Sequence, residues 1–226
     1  EIRTSQFDLR GNAIDQYVAT YSPEGTLYDV KHILTDTRSN GDVVRSEVIR
    51  YSTGDVDSMT PVASGDFVER TVVVTTSFDL RNNALSQEVF RYSSETMDTL
   101  VERQAITTTD AYTILDQATH SEIATFNSEG SLVDTQIIDY TNYDKFSNVE
   151  DQTILTLDSR GLVVDFRVIH NDYLDQVAAQ RGNATHTTIT RFIDSSMSSE
   201  IERQEIDNHV ATIDSLGRIV DQTIDL

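Results

Sequence analysis

Hydrophobic and polar positions alternate in short runs along this chain, and Gly or Asn punctuates the runs at a regular beat. The segments between these punctuations are dominated by Thr, Val, Ile and Tyr, residues that fit a pleated, half-buried surface. Good helix formers at amphipathic spacing are scarce. Turn signals stand at Arg10-Gly11-Asn12, Ser22-Pro23-Glu24-Gly25, Ser39-Asn40-Gly41-Asp42, Ser64-Gly65-Asp66 and Arg81-Asn82-Asn83, and again at Ser128-Glu129-Gly130-Ser131, Asp158-Ser159-Arg160-Gly161, Arg181-Gly182-Asn183 and Asp214-Ser215-Leu216-Gly217. Gly and Asn accept the positive φ that tight hairpins require. The pattern therefore predicts successive β-hairpins.

A turn-plus-strand cassette recurs. Phe7-Asp8-Leu9-Arg10-Gly11-Asn12-Ala13-Ile14, running on to Tyr21, returns as Phe78-Asp79-Leu80-Arg81-Asn82-Asn83-Ala84-Leu85, running on to Tyr92. It comes again from Phe126 to Tyr140 and more loosely from Leu157 and Ile213. Such self-similarity marks a repeat architecture, in which one unit cannot bury its own apolar face without a neighbour. The beat allots strands of about eight to ten residues and roughly sixteen strands to the chain.

Open twisted sheets seldom exceed about ten strands without curling, splitting or closing. In the cassette strand Ile14 and Val18 share one face, whereas Ala19 and Tyr21 share the other. Apolar residues on both faces predict a sheet covered on both sides or a bulge that flips register midway. The expected fold is all-β: a repetitive antiparallel hairpin meander forming a spiral or superhelical sheet or an elongated sandwich, with residues 1–226 as one repetitive domain. A membrane barrel needs an unbroken lipid-facing apolar band, and the charges on both faces of Ser86-Gln87-Glu88-Val89-Phe90-Arg91-Tyr92 oppose it.

Two stretches break the beat. Residues Ser52 to Ser64, with Gly54, Asp55, Asp57 and Pro61, read as a long loop or a crossing between layers. The run Asp194 to Ser199 reads as a second loop. A smaller echo, Val68-Glu69-Arg70, Val101-Glu102-Arg103 and Ile201-Glu202-Arg203, puts Glu and Arg on opposite faces, so their ion pairs are expected across strands.

Composition narrows the function classes. With 38 acidic and 17 basic residues the net charge is -21, a field that repels phosphate backbones and anionic headgroups, so neither nucleic acid nor membrane insertion is expected. No apolar run approaches the roughly 18 to 20 residues of a membrane helix. Cysteine is absent, which removes disulfides and thiolate metal sites. The chain begins at Glu1 and halts at Leu226 partway through a cassette, which predicts a piece of a longer repeat protein or a fibre subunit.

Candidate chemistry is sparse. Asp8, Asp79, Asn127, Asp158 and Asp214 head the repeated turns, where an Asx side chain accepts from backbone N–H groups two or more residues on. The alternative for these oxygens is Ca²⁺; no other cofactor is expected. His32, His120, His170, His186 and His209 stand singly and form no zinc-protease or triad spacing. No nucleophile elbow, phosphate loop or dinucleotide fingerprint occurs, so no catalytic residue is assigned; a carboxylate-pair hydrolase remains as an outside reading. Tyr17, Tyr21, Tyr92 and Tyr140 predict inter-strand packing, with a sugar-binding aromatic row as the alternative. Asn183-Ala184-Thr185 is a glycosylation sequon in a turn.

Phe7-Asp8-Leu9-Arg10-Gly11-Asn12 and Leu157-Asp158-Ser159-Arg160-Gly161 resemble the unit of the YD-repeat (Rhs-like) proteins of bacterial surfaces and toxin shells. Asp8, Gly11 and Asn12 match its pattern, as do Asp214, Gly217 and Arg218; Phe, Leu or Ile replaces the leading Tyr, and the clear cassettes cover about a third of the chain. The resemblance implies non-enzymatic scaffolding in an extracellular or cell-surface protein. The expected function is a structural segment that self-associates with neighbouring repeats or subunits into a filament, sheath or shell. The alternative is an adhesin or carbohydrate-binding module facing a glycan or host surface.

Overall fold

The computed structural model describes residues 1–22, 24–54, 56, 66–108, 112–209, 219 and 221–226. Two compact units divide the chain. The first comprises Glu1–Thr107 with Ala124–Leu132, and the second Thr108–Ile123 with Val133–Leu226.

The first unit holds β1 (Ile2–Phe7), β2 (Ala13–Tyr21), β3 (Leu27–Thr37), β4 (Val43–Tyr51), β5 (Phe67–Phe78), β6 (Ala84–Tyr92) and β7 (Leu100–Thr107). Each pairs antiparallel with the next in sequence. Strand β8 (His120–Asn127) has its halves in different units. The second unit continues with β9 (Leu132–Tyr143), β10 (Val149–Asp158) and β11 (Val163–Asp172), then a single helical turn α1 (Gln176–Ala179), then β12 (His186–Phe192), β13 (Glu200–Asn208) and β14 (Gln222–Asp225). The β9 to β14 neighbours are again antiparallel and sequential. The all-β hairpin meander is thus present in both units.

Fourteen strands occur among the described residues, fewer than the beat predicts. The connection at 173–185 takes residues that uniform spacing would give to a strand, and β5 and β9 lengthen to 12 residues. Of the two readings for Ser52 to Ser64, a long loop or a crossing between layers, the crossing is excluded: β4 pairs directly with β5, and Ser52 N–H donates to the Asp66 carbonyl at 2.8 Å. Residues 55 and 57–65, with Asp55, Asp57 and Pro61, lie outside the described residues. The expected second loop is a closed turn, with Ile193 N–H donating to the Ser199 carbonyl at 3.2 Å. The same closure joins Ser93 to Thr99 at 3.1 Å.

Register shifts fall beside turns, as at Thr20/Tyr21, Arg50/Tyr51, Arg91/Tyr92 and Arg191/Phe192, and also further into strands, at Thr4/Gln6, Thr75/Ser77 and Val149/Asp151. A bulge adds local twist and changes which face the following residues occupy.

In the first unit one face of β2, β3 and β4 is buried. The opposed residues Ala19, Val30 and Tyr51 share this face, and Tyr17, Ala19 and Val30 pack with Val56 from the β4–β5 connection. The face also carries charge. Glu47 is 1% exposed, and Arg45 and Arg70 each donate to one of its carboxylate oxygens. Arg70 also donates to the Glu95 carbonyl, and the Tyr51 hydroxyl donates to Glu95 Oε1 at 2.8 Å. Burial pushes the Tyr51 phenol up, and its bond to Glu95 adds to the shift. This network ties β4 and β5 to the turn after β6.

Removing one partner of a buried ion pair strands the other charge without water, at about 3–5 kcal/mol. Glu47→Ala should therefore lower unfolding free energy by about that amount, measured by urea denaturation. Arg50→Ala, whose Glu69 partner is half exposed, should cost about 1 kcal/mol or less.

Candidate functional site

The repeated turn is the unit from which the surface is built. In it the head residue's N–H donates to the carbonyl four residues on, and the N–H three residues on donates back to the head carbonyl. Asp8 shows this at 2.9 and 3.1 Å, Asn127 at 3.0 and 3.0 Å, and Asp158 at 2.8 and 2.9 Å. The fourth residue takes a left-handed conformation, with φ of 87° at Gly11 and 79° at Gly161. This is the three-residue hairpin built on a type I turn with a glycine bulge. Asn82, Asp116 and Ser147 fill the position at φ of 71°, 60° and 68°, a cost the side-chain caps help to offset.

The predicted head residues Asp8, Asp79, Asn127 and Asp158 all act as caps. Asp8 Oδ1 accepts from the N–H groups of Arg10 at 2.9 Å and Asn12 at 2.8 Å, and Asp8 Oδ2 accepts from Asn12 Nδ2 at 2.9 Å. Asp79 repeats the pattern with Arg81 and Asn83. Asn127 Oδ1 accepts from Glu129 and Ser131, and Asp158 Oδ1 from Arg160 and Leu162. Asp214 lies outside the described residues. Three further heads escaped the sequence reading: Ser22, Thr113 and Asp144 cap the same geometry. The signal for Asp144 was there, because Asp8/Asn12, Asp79/Asn83 and Asp144/Asn148 share an Asp and an Asn four apart.

Turns on one side of each unit touch. In the first unit Arg10 donates to the Asn40 carbonyl and the Asn40 amide reaches Asn82 Oδ1 at 3.4 Å. Thr37 Oγ1 donates to Asp8 Oδ2 at 3.2 Å, and the Arg38 guanidinium sits 4.5 Å from the Phe78 ring centroid. In the second unit Gln117 Nε2 donates to Ser147 Oγ at 3.1 Å and Asn148 Nδ2 to the Ala179 carbonyl at 2.7 Å. Leu9 and Leu80, at equivalent tip positions, are fully exposed.

The Glu-Arg echo forms cross-strand pairs. Glu69 lies opposite Arg50, Glu102 opposite Arg91 and Glu202 opposite Arg191, at 3.2, 3.6 and 3.8 Å. The adjacent Arg70 and Arg103 reach diagonally to Glu47 and Glu88.

Histidines pair with aspartates across strands. His120 meets Asp139 at 2.7 Å, His170 meets Asp151 at 2.6 Å and His186 meets Asp207 at 2.7 Å. His32 contacts Asp15 at 3.0 Å and stacks on Tyr17 at 4.2 Å, while His209 contacts Thr223 at 2.9 Å. Among the described residues no group of three or more His, Cys, Asp or Glu side chains could hold a metal ion. No described helix is long and apolar enough to cross a membrane.

The four predicted tyrosines do not form one row. Tyr17 is buried against His32, Tyr21 is exposed, Tyr92 lies 6.5 Å from Phe90, and Tyr140 is half-buried in the second unit. Asn183 is half-buried just after α1, its N–H donating to the Ala178 carbonyl at 3.0 Å. The sequon hydroxyl of Thr185 donates to the Asp172 carbonyl at 2.8 Å.

No family model matches the chain, and no curated protein matches it. Among solved structures, the crystal structure of TcdB2-TccC3-TEV aligns with 97% of this chain and 12% of its own length, at 13% identity and a TM-score of 0.18. The chain thus spans about an eighth of that neighbour, and overlap at this score carries no argument about fold or activity.

Two pH dependences follow. The Leu162 N–H and the Arg160 side chain hold the Asp158 carboxyl below its usual 3.8, so its cap stabilises the fold above that pH and is lost as pH falls through the lower folded value. Asp158→Ala should lower the urea midpoint near neutral pH and change it little in strong acid. The bond from Asp151 raises His170 above 6.5. Below 6.5 that contribution is fully present, and it fades as pH rises through the folded value. His170→Asn should destabilise more at about pH 5.5 than at about pH 9, and the ring's NMR titration should centre above 6.5.

Proposed function

We propose that this chain is a non-enzymatic structural segment of an extracellular or cell-surface repeat protein, which associates through β-strand contacts into a filament, sheath or shell. The observation that carries this reading is the sequential antiparallel meander with one capped turn geometry at hairpin after hairpin. Each hairpin leans on its neighbours and has little core of its own: twelve apolar side chains are buried among the described residues.

Such a stack is extended by adding more of the same. The outer edges of β1 and β14 carry no partner strand among the described residues, and an uncovered edge is a template for pairing with another chain. Both strands expose apolar side chains, Ile2 at 64% and Ile224 at 54%. The Asp-Leu-Arg-Gly-Asn turn and its YD-repeat resemblance support the same reading, and the net charge of -21 keeps sheet faces apart while edges join.

The purified chain should form oligomers whose mass rises with concentration in light scattering, seen as elongated or ring-like particles by electron microscopy. Replacing Ile2 and Ile224 together by Lys should raise the concentration needed for association by about tenfold or more. A strictly monomeric natural chain across the accessible concentration range would refute the assembly.

A further inference from the structure

The β11–β12 connection of the second unit departs from the capped-turn pattern. It carries α1, the one helix among the described residues, capped by Asp175, whose side chain accepts from Ala178 N–H at 2.8 Å. Ala178 and Ala179 are buried. The turn headed by Asp144 grips this helix through Asn148 Nδ2 on the Ala179 carbonyl, at 2.7 Å. A second tie runs from the Tyr173 hydroxyl to the Val149 carbonyl at 3.3 Å.

Between turn and helix lies a groove of about 380 Å³ lined by Lys145, Phe146, Glu150, Tyr173, Leu174 and Gln176. That volume falls at the small end of ligand sites, and the two fastenings hold its walls before any ligand arrives, which reduces the ordering cost of binding.

The lining selects by chemistry. Lys145 Nζ sits 4.9 Å from the Phe146 ring centroid, so a ligand cation at that ring would meet a like charge. Glu150 and the net charge of -21 oppose an anion. Both oxygens of the Asp144 carboxylate already accept within the turn, from Phe146 N–H, Asn148 N–H and the Asn148 amide. What remains is an aromatic wall from Phe146 and Tyr173, with the exposed Leu174 at its edge, rimmed by one ammonium, one carboxylate and one amide. A neutral ring with a C–H face and outward hydroxyls, each both donor and acceptor, meets both sets at once.

We propose that this groove binds a saccharide unit, with Phe146 and Tyr173 packing against the sugar ring and Lys145, Glu150 and Gln176 taking its hydroxyls. The site lies inside one unit and does not depend on assembly, so a chain that stays monomeric would still bind.

The test is a glycan array probed with the natural chain, followed by calorimetric titration of the saccharide retained. Phe146→Ala and Gln176→Ala should each weaken binding by about tenfold or more, while Leu80→Ser, at an exposed tip in the other unit, should leave it unchanged. Gln176 is exposed, so its variant keeps the fold, which circular dichroism verifies. An array with no retained saccharide, binding indifferent to both groove variants, or binding lost equally in Leu80→Ser would overturn the assignment.

Discussion

The structure depends on a side-chain oxygen placed at the head of most of its described tight turns; the turn headed by Arg38 closes with the same backbone bonds and takes the Asp42 N–H on Asn40 Oδ1 instead. A type I turn with a left-handed fourth residue leaves the N–H groups two and four residues after the head pointing inward, away from any strand partner. Without an acceptor these donors would rely on water or strain. An Asp, Asn, Ser or Thr at the head takes both, as Asp8, Ser22, Asn127 and Asp158 do. Each strand then enters its pairing at a fixed position, and the hairpin on the far side starts from a defined register. The contacts between successive turns, such as Gln117 to Ser147, pass that alignment from one hairpin to the next but one.

Register carries unusual weight here because so many charges are paired across neighbouring strands. A slip of one residue would move Glu47, together with Arg45 on its own strand, to the opposite face from Arg70 and turn Glu69, Glu102 and Glu202 away from Arg50, Arg91 and Arg191. The exposed pairs are each worth little. The buried one is costly to break but offers no clear gain over an apolar pair. Their joint effect is to penalise wrong pairings, which suits a sheet of many similar strands, where near-identical hairpins could otherwise exchange partners.

Much of this was legible because it is local. An Asx head and its left-handed Gly lie three positions apart, so turn and cap can be read from Asp8-Leu9-Arg10-Gly11 alone. The cross-strand direction of the Glu-Arg pairs follows from alternation within one strand. What was not legible depends on lengths between elements. The partners His120 and Asp139, His170 and Asp151, and His186 and Asp207 are 19, 19 and 21 residues apart, and only the connection between their strands decides whether they meet. The groove beside α1 was invisible for the same reason: Phe146 and Tyr173 belong to different hairpins, and Asn148 gave no sign that its amide would reach the Ala179 carbonyl. The run at 194–199 looked like an open loop from its serines, yet Asp194 accepts from Ser196 N–H at 2.9 Å and closes it as a wider version of the same capped turn.

A sheet assembled from equivalent hairpins presents similar side chains at similar heights, so a uniform stretch has little means of distinguishing one ligand from another. Discrimination requires a place where the pattern is interrupted and the interruption is itself held rigid, since a loose insertion would lose its geometry to entropy. The turns at 93–99 and 193–199 are interruptions in length only and close on themselves. The β11–β12 connection differs in kind: it leaves the sheet, forms a capped helical turn, buries two alanines and is fastened back to a neighbouring hairpin. The side chains it gathers come from two hairpins whose repeat-equivalents elsewhere, such as Leu9 and Leu80, stand alone in solvent. Regular hairpins thus supply the frame, and this fastened departure supplies a surface with its own chemistry.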